Sequence, residues 1–105
     1  MNEQLELIIF EIINHAGEAR AFAYEALNKA ENGDFEGAEE SLKLSGESLH
    51  QAHKVQTSII HAEARGEKTE LSVLFVHAQD HLMTAMESKS LIEHIIKLHK
   101  KIDSK

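Results

Sequence analysis

No proline occurs in the 105 residues, so nothing in the chain breaks a helix from within by removing a backbone donor. Helix ends must come from glycine and from capping residues, and these gather at two places. At "ENGDF" (31–35), Asn32 and Gly33 stop one helix and Asp34 caps the next. Glu36, Glu39 and Glu40 then fall in the opening turns, where the helix dipole favours acidic side chains. At "ARGEKTEL" (64–71), Gly66 is the stop and Thr69 the expected N-cap. The pattern predicts an all-α protein with helices at about 3–31, 35–65 and 70–103, in a single domain spanning 1–105. Short connections between long helices imply an antiparallel up-down-up three-helix bundle.

Hydrophobic periodicity supports the division. The first helix carries Leu5, Ile8, Ile9, Ile12, Ala16, Ala19, Ala23 and Leu27 at three-four spacing. Its second half uses small residues, Gly17 among them, so that another helix can approach closely. The second helix carries Phe35, Ala38, Leu42, Ser45, Leu49, Ala52, Gln56 and Ile59 in a heptad-like stripe. Hydrophobic residues make up 42% of the chain and aromatics only 5%, so the core is aliphatic. At the C-terminus, "KLHKKIDSK" concentrates lysines where a helix end favours cations.

Several function classes are excluded at this level. There is no cysteine, so neither disulfides nor thiolate chemistry operate, which suits a reducing, cytoplasmic setting. "MNEQLELIIF" is acidic and polar before its apolar part, unlike a secretory signal. No apolar run approaches the ~20 residues of a spanning helix, so direct membrane insertion is not expected. A net charge of −7, with no basic patch interleaved with aromatics, argues against nucleic acid.

The third helix has one apolar stripe too many. At about 100° per residue, Leu71, Leu74, Ala78, Leu82, Ala85, Ile92 and Ile96 form a core stripe. A second stripe runs through Val73, His77, Asp80, His81, Thr84, Ser88, Leu91, Ile95, Leu98 and Ile102. One bundle needs one apolar face per helix, so the second is expected to be buried against another subunit. Its C-terminal part, Leu91 to Ile102, reads as a coiled-coil-like seam. Its N-terminal part places functional groups in the same interface; Val76, Met83 and Met86 to one side form an apolar rim or, as methionine more often does, simply fill gaps in the packing.

Burying imidazoles and a carboxylate is costly unless they are paired, bind a metal or do chemistry. His77, Asp80 and His81 share a helix face, and the spacing leaves three readings open. Histidines four apart can bind one zinc ion, although the metalloprotease pattern needs Glu where Ala78 stands. They can be hydrogen-bonded in a polar interface layer that sets register. Or one can be a nucleophile, since a neutral imidazole needs no further activation near pH 7. A helix start at Thr69 puts His77 roughly two turns from the N-terminus, where the dipole acts weakly. Of the other histidines, His53 stands out, because "AHKVQT" (52–57) puts it with Gln56 on the inner side of the second helix.

"HAQDHLMT" (77–84), "ENGDFEGAEESL" (31–42) and "AHKVQT" together resemble the lactose/cellobiose-type enzyme IIA family of the phosphoenolpyruvate-dependent sugar phosphotransferase system. The resemblance covers essentially the whole chain, and H-x-Q-D-H-L-M is a specific motif. Ala78 and its flanks are more similar to the cellobiose/chitobiose branch than to the lactose branch. The resemblance implies a homotrimer of three-helix bundles. It implies that His77 is phosphorylated on Nε2, and that Asp80 from three subunits shares one divalent ion, Mg²⁺. Gln79 and His81 match the motif as supporting residues. The implied function is a phosphoryl carrier, taking the group from phospho-HPr and passing it to a cysteine of the IIB component. The IIC membrane component then moves a cellobiose-like β-glucoside. The alternative from another class is a non-catalytic helical assembly module with a structural metal site.

Overall fold

The computed structural model describes residues 3–105, and among them there are helices and no strand. Helix α1 spans Glu3–Glu31, α2 Phe35–Ala64 and α3 Val73–Asp103. The two punctuation points close in the same way. Gly33 and Gly66 take φ of 82° and 90°, a left-handed conformation that glycine alone adopts without steric cost. That turn lets Gly33 donate to the Ala30 carbonyl at 3.0 Å and Asp34 to Lys29 at 2.9 Å. Gly66 and Glu67 repeat it onto Glu63 and Ala62 at 3.0 and 3.1 Å, so carbonyls left over at both helix ends find donors. Asp34 then caps α2, accepting the Gly37 N–H at 2.9 Å. A methyl group at Gly37 would collide with that carboxylate.

The start of α3 differs from expectation. Ser72, not Thr69, is the N-cap: it is extended (φ −136°, ψ 163°) and its hydroxyl accepts the Phe75 N–H at 3.1 Å. Both residues are capping types three positions apart, and the local pattern does not separate them. Tertiary structure does, because residues 67–70 line a cleft at the end of the bundle together with Leu5, Ile8 and Ile59, and the helix begins after that segment. Leu71 therefore precedes the helix and is 80% exposed rather than in the core. Phe75, absent from the expected stripe, is buried instead.

Helix α1 lies in the middle, packed along both α2 and α3, which touch each other less. Ile9, Ile12 and Ala16 meet Ala52 and Ile59 of α2 and Phe75, Ala78 and Leu82 of α3 in one core cluster. Ala23, Ala26 and Ala30 meet Ala38, Leu42, Ile92 and Ile96 in a second. The start of α1 thus packs on the start of α3 and on the end of α2, which is the up-down-up order. Alanines along α1 bring the helices close enough for Ser45, fully buried, to donate to the Ala19 carbonyl at 2.6 Å. Lys29 reaches Ser41 at 3.0 Å, and Lys100 reaches Glu39 at 2.6 Å. These contacts pin the register of a rod measuring 56 × 21 × 19 Å. No helix among the described residues is long and apolar enough to cross a membrane.

The open face of the third helix

Within one chain, the second stripe of α3 is uncovered. Leu91, Ile95, Leu98 and Ile102 are 55%, 39%, 58% and 70% exposed, whereas their neighbours Ile92 and Ile96 are 3% and 1% exposed. His77 and Asp80 are exposed on the N-terminal part of the same face. Because α3 starts at Val73, His77 is the fifth residue of the helix, about 6 Å from its N-terminus at 1.5 Å per residue. That is one turn nearer than expected, within reach of the positive end of the dipole.

His81, one turn further along, is half-buried. Its ring lies parallel to that of His77, with centroids 6.0 Å apart and planes 7° from parallel. It leans toward α1 at Gly17, where a Cβ atom would stand 3.5 Å from the His81 Nε2. Thr84 turns its hydroxyl back to the His81 carbonyl at 3.1 Å.

Gln79 leaves this face altogether. Two residues along a helix rotate the side chain by about 200°, which carries it to the side of α2. There it is half-buried, and its Oε1 accepts a hydrogen bond from Gln56 Nε2 at 2.7 Å. The six residues from His77 to Leu82 therefore divide by direction: His77 and Asp80 outward, His81 to α1, Gln79 to α2, Ala78 and Leu82 into the core. The Gln56–Gln79 bridge joins two residues whose pairing has no signature in the sequence. His53 does not accompany Gln56 inward; it is exposed, its Nδ1 3.3 Å from the Thr57 hydroxyl. Three positions along α2 leave a net rotation of only about 60°, so His53 sits at the solvent edge of the face that carries Gln56. Val76, Met83 and Met86 are exposed beside the stripe, as a rim would be.

Among the described residues of one chain, no three His, Asp or Glu side chains come together as metal ligands. Asp80 contributes a single exposed carboxylate. A cleft of about 340 Å³ opens at the bundle end between Leu5, Ile59 and Lys68, and neither His77 nor His81 lines it. The conspicuous chemistry thus lies on an open helix surface, and an imidazole so presented can be reached by another protein.

Such a molecule is an all-helical bundle with histidines on an open face of its third helix. The chain belongs to the lactose/cellobiose-specific IIA subunit family of the sugar phosphotransferase system, whose model matches residues 7–100. It is 51% identical over 102 residues to the lichenan-specific phosphotransferase enzyme IIA component of Bacillus subtilis, covering 97% of this chain and 93% of that one. It is similar to the crystal structure of the cellobiose-specific enzyme IIA from Bacillus anthracis, with a TM-score of 0.96 and 47% identity, covering 100% of this chain and 96% of that one. It is also similar to the solution structure of the IIA(chitobiose)–HPr complex from the N,N'-diacetylchitobiose branch of the Escherichia coli phosphotransferase system. There the TM-score is 0.84 and the identity 41%, covering 97% of this chain and 99% of that one.

Proposed function

We propose that this IIA protein is a cytoplasmic phosphoryl carrier that takes the group from phospho-HPr onto His77 Nε2 and hands it to a cysteine of a IIB component. The observation that carries the reading is an exposed His77 on the open face of α3 in a chain that matches the family over residues 7–100. HPr as donor is supported by the likeness to a IIA protein solved in complex with HPr. The IIC membrane component is then an indirect partner, moving the sugar. A β-linked glucoside of the cellobiose type fits the lichenan- and cellobiose-specific relatives.

Each transfer is an in-line displacement. The bond from phosphorus to the HPr imidazole breaks as a bond to His77 Nε2 forms, and the second step exchanges that bond for one to sulfur. A loose transition state leaves the protein to supply position and charge stabilisation. The imidazole attacks through the lone pair of an unprotonated nitrogen. Its place one turn into α3 aligns the helix dipole with the incoming negative charge. The parallel ring of His81 walls one side of it.

The protein acts as a homotrimer in this reading, with Leu91, Ile95, Leu98 and Ile102 as the seam. A stripe of that length left open on a lone chain supports burial between copies. Three copies of Asp80 then converge. One carboxylate per chain cannot form a site alone, but three hard oxygen donors suit Mg²⁺. Bound there, the ion neutralises their mutual repulsion.

The chain should gain one phosphoryl group by intact mass only when phosphoenolpyruvate, enzyme I and HPr are all present. The product should be acid-labile and alkali-stable, as a phosphoramidate is. His77→Gln should remove the gain with helical content unchanged, while His81→Gln slows uptake but retains some. Phosphate that survives acid, on the parent or on His77→Gln, would point to a hydroxyl and sink the proposal.

A further inference from the structure

Gly17 sits in the interior of α1, where glycine is less stable than alanine because its backbone loses more freedom. Its backbone does not require glycine, since positive φ occurs only at Gly33 and Gly66 among the described residues. What distinguishes the position is its neighbour across the bundle. A Cβ at Gly17 would meet the His81 Nε2 at 3.5 Å, ordinary contact for a methyl, so a longer side chain turned toward α3 would press on the imidazole. Glycine at this position therefore leaves His81 room beyond a methyl on the side of α1. His81 in turn holds its ring parallel to His77, 6.0 Å away.

Resting on the carrier reading above, we propose that Gly17 is a positioning residue for phosphoryl transfer. It seats the His81 ring against α1, and that ring limits the orientations open to His77. The link from α1 to the reacting face is steric. Gly17 never touches the phosphoryl group, so its effect falls on the transfer step and not on docking of HPr.

The test is graded by size. Gly17→Ala should raise the melting temperature, as alanine does in a helix interior, and take up phosphate within about twofold of the parent because the methyl still fits. Gly17→Leu, also a good helix former, should remain helical yet slow uptake at saturating phospho-HPr by about tenfold or more. Its half-saturating HPr concentration should stay where the parent's is. In a His81→Ala background the space is vacated, so Gly17→Leu should cost no more than about twofold; the two effects are non-additive when residues share a contact. An uptake rate for Gly17→Leu equal to the parent's, or equal losses in both backgrounds, overturns the proposal while leaving the carrier reading intact. A parent that takes up no phosphate overturns the carrier reading, and with it the transfer role given to Gly17. The seat is then judged by proton NMR of the parent, where absence of contact between the Gly17 α-protons and the His81 ring overturns that too.

Discussion

Gln79 is two positions from His77 in sequence and on the other side of the helix in space. Its half-buried amide completes a hydrogen bond to Gln56 at 2.7 Å, so its support is given to the α2–α3 interface. Gln79→Ala leaves the Gln56 amide without that partner and should cost about 1 kcal/mol, the net worth of such a bond. Urea unfolding measures this, and uptake of phosphate at His77 should stay within about twofold of the parent. Loss of uptake without loss of stability would mean that Gln79 reaches the phosphoryl group after all. The motif could be read residue by residue from the chain; that its members face four different surroundings followed only from the packing.

At the scale of the element, α3 is the informative helix because it carries two stripes and its own bundle covers one. Ile92 and Ile96 fill the core, while Leu91 and Ile95 beside them stay open. Leu91→Asp together with Ile95→Asp separates the two uses. If the stripe faced water permanently, the double variant would fold as the parent does. If it is a seam between copies, each aspartate is desolvated there at roughly several kcal/mol, the penalty of an unpaired buried ion. Sedimentation should then find a trimer for the parent and a smaller or unfolded species for the variant. A monomeric parent at micromolar concentration refutes the seam. The surplus stripe was legible from periodicity alone, whereas the helix start was misplaced by three residues. Thr69 and Ser72 compete equally until the path of residues 67–70 at the bundle end is known.

For the whole molecule, the open question posed by the fold is what Asp80 meets. In the proposed trimer three copies of Asp80 would meet on one axis, where they could not all remain charged without compensation; a shared Mg²⁺ would provide it through oxygen ligands. A chelator should therefore lower the melting temperature of the parent. Asp80→Leu removes the repulsion and adds apolar contact, so it should stay trimeric and melt at the same temperature with or without chelator. Dissociation of that variant to monomers, or a parent-like response to chelator, would show that Asp80 is not the axial ligand.

Taken alone, the sequence determined the helices and their order. Absent proline, two glycine turns and three-four periodicity favour a bundle in which one apolar stripe of each helix is buried, and each of those signals acts over a few residues. It also singled out His77, Asp80 and His81, because polar groups in an apolar run conflict with their immediate neighbours, while separate roles for the three came only with the family resemblance. Tertiary structure decided what depends on distant parts of the chain. Gln56 and Gln79 are 23 positions apart, and Gly17 meets His81 from another helix. Neither contact has a local signature, since each is set by the rotation of one helix against the next. The course of residues 67–70 at the bundle end likewise left Ser72 as the cap of α3, and so brought His77 a turn closer to the helix end.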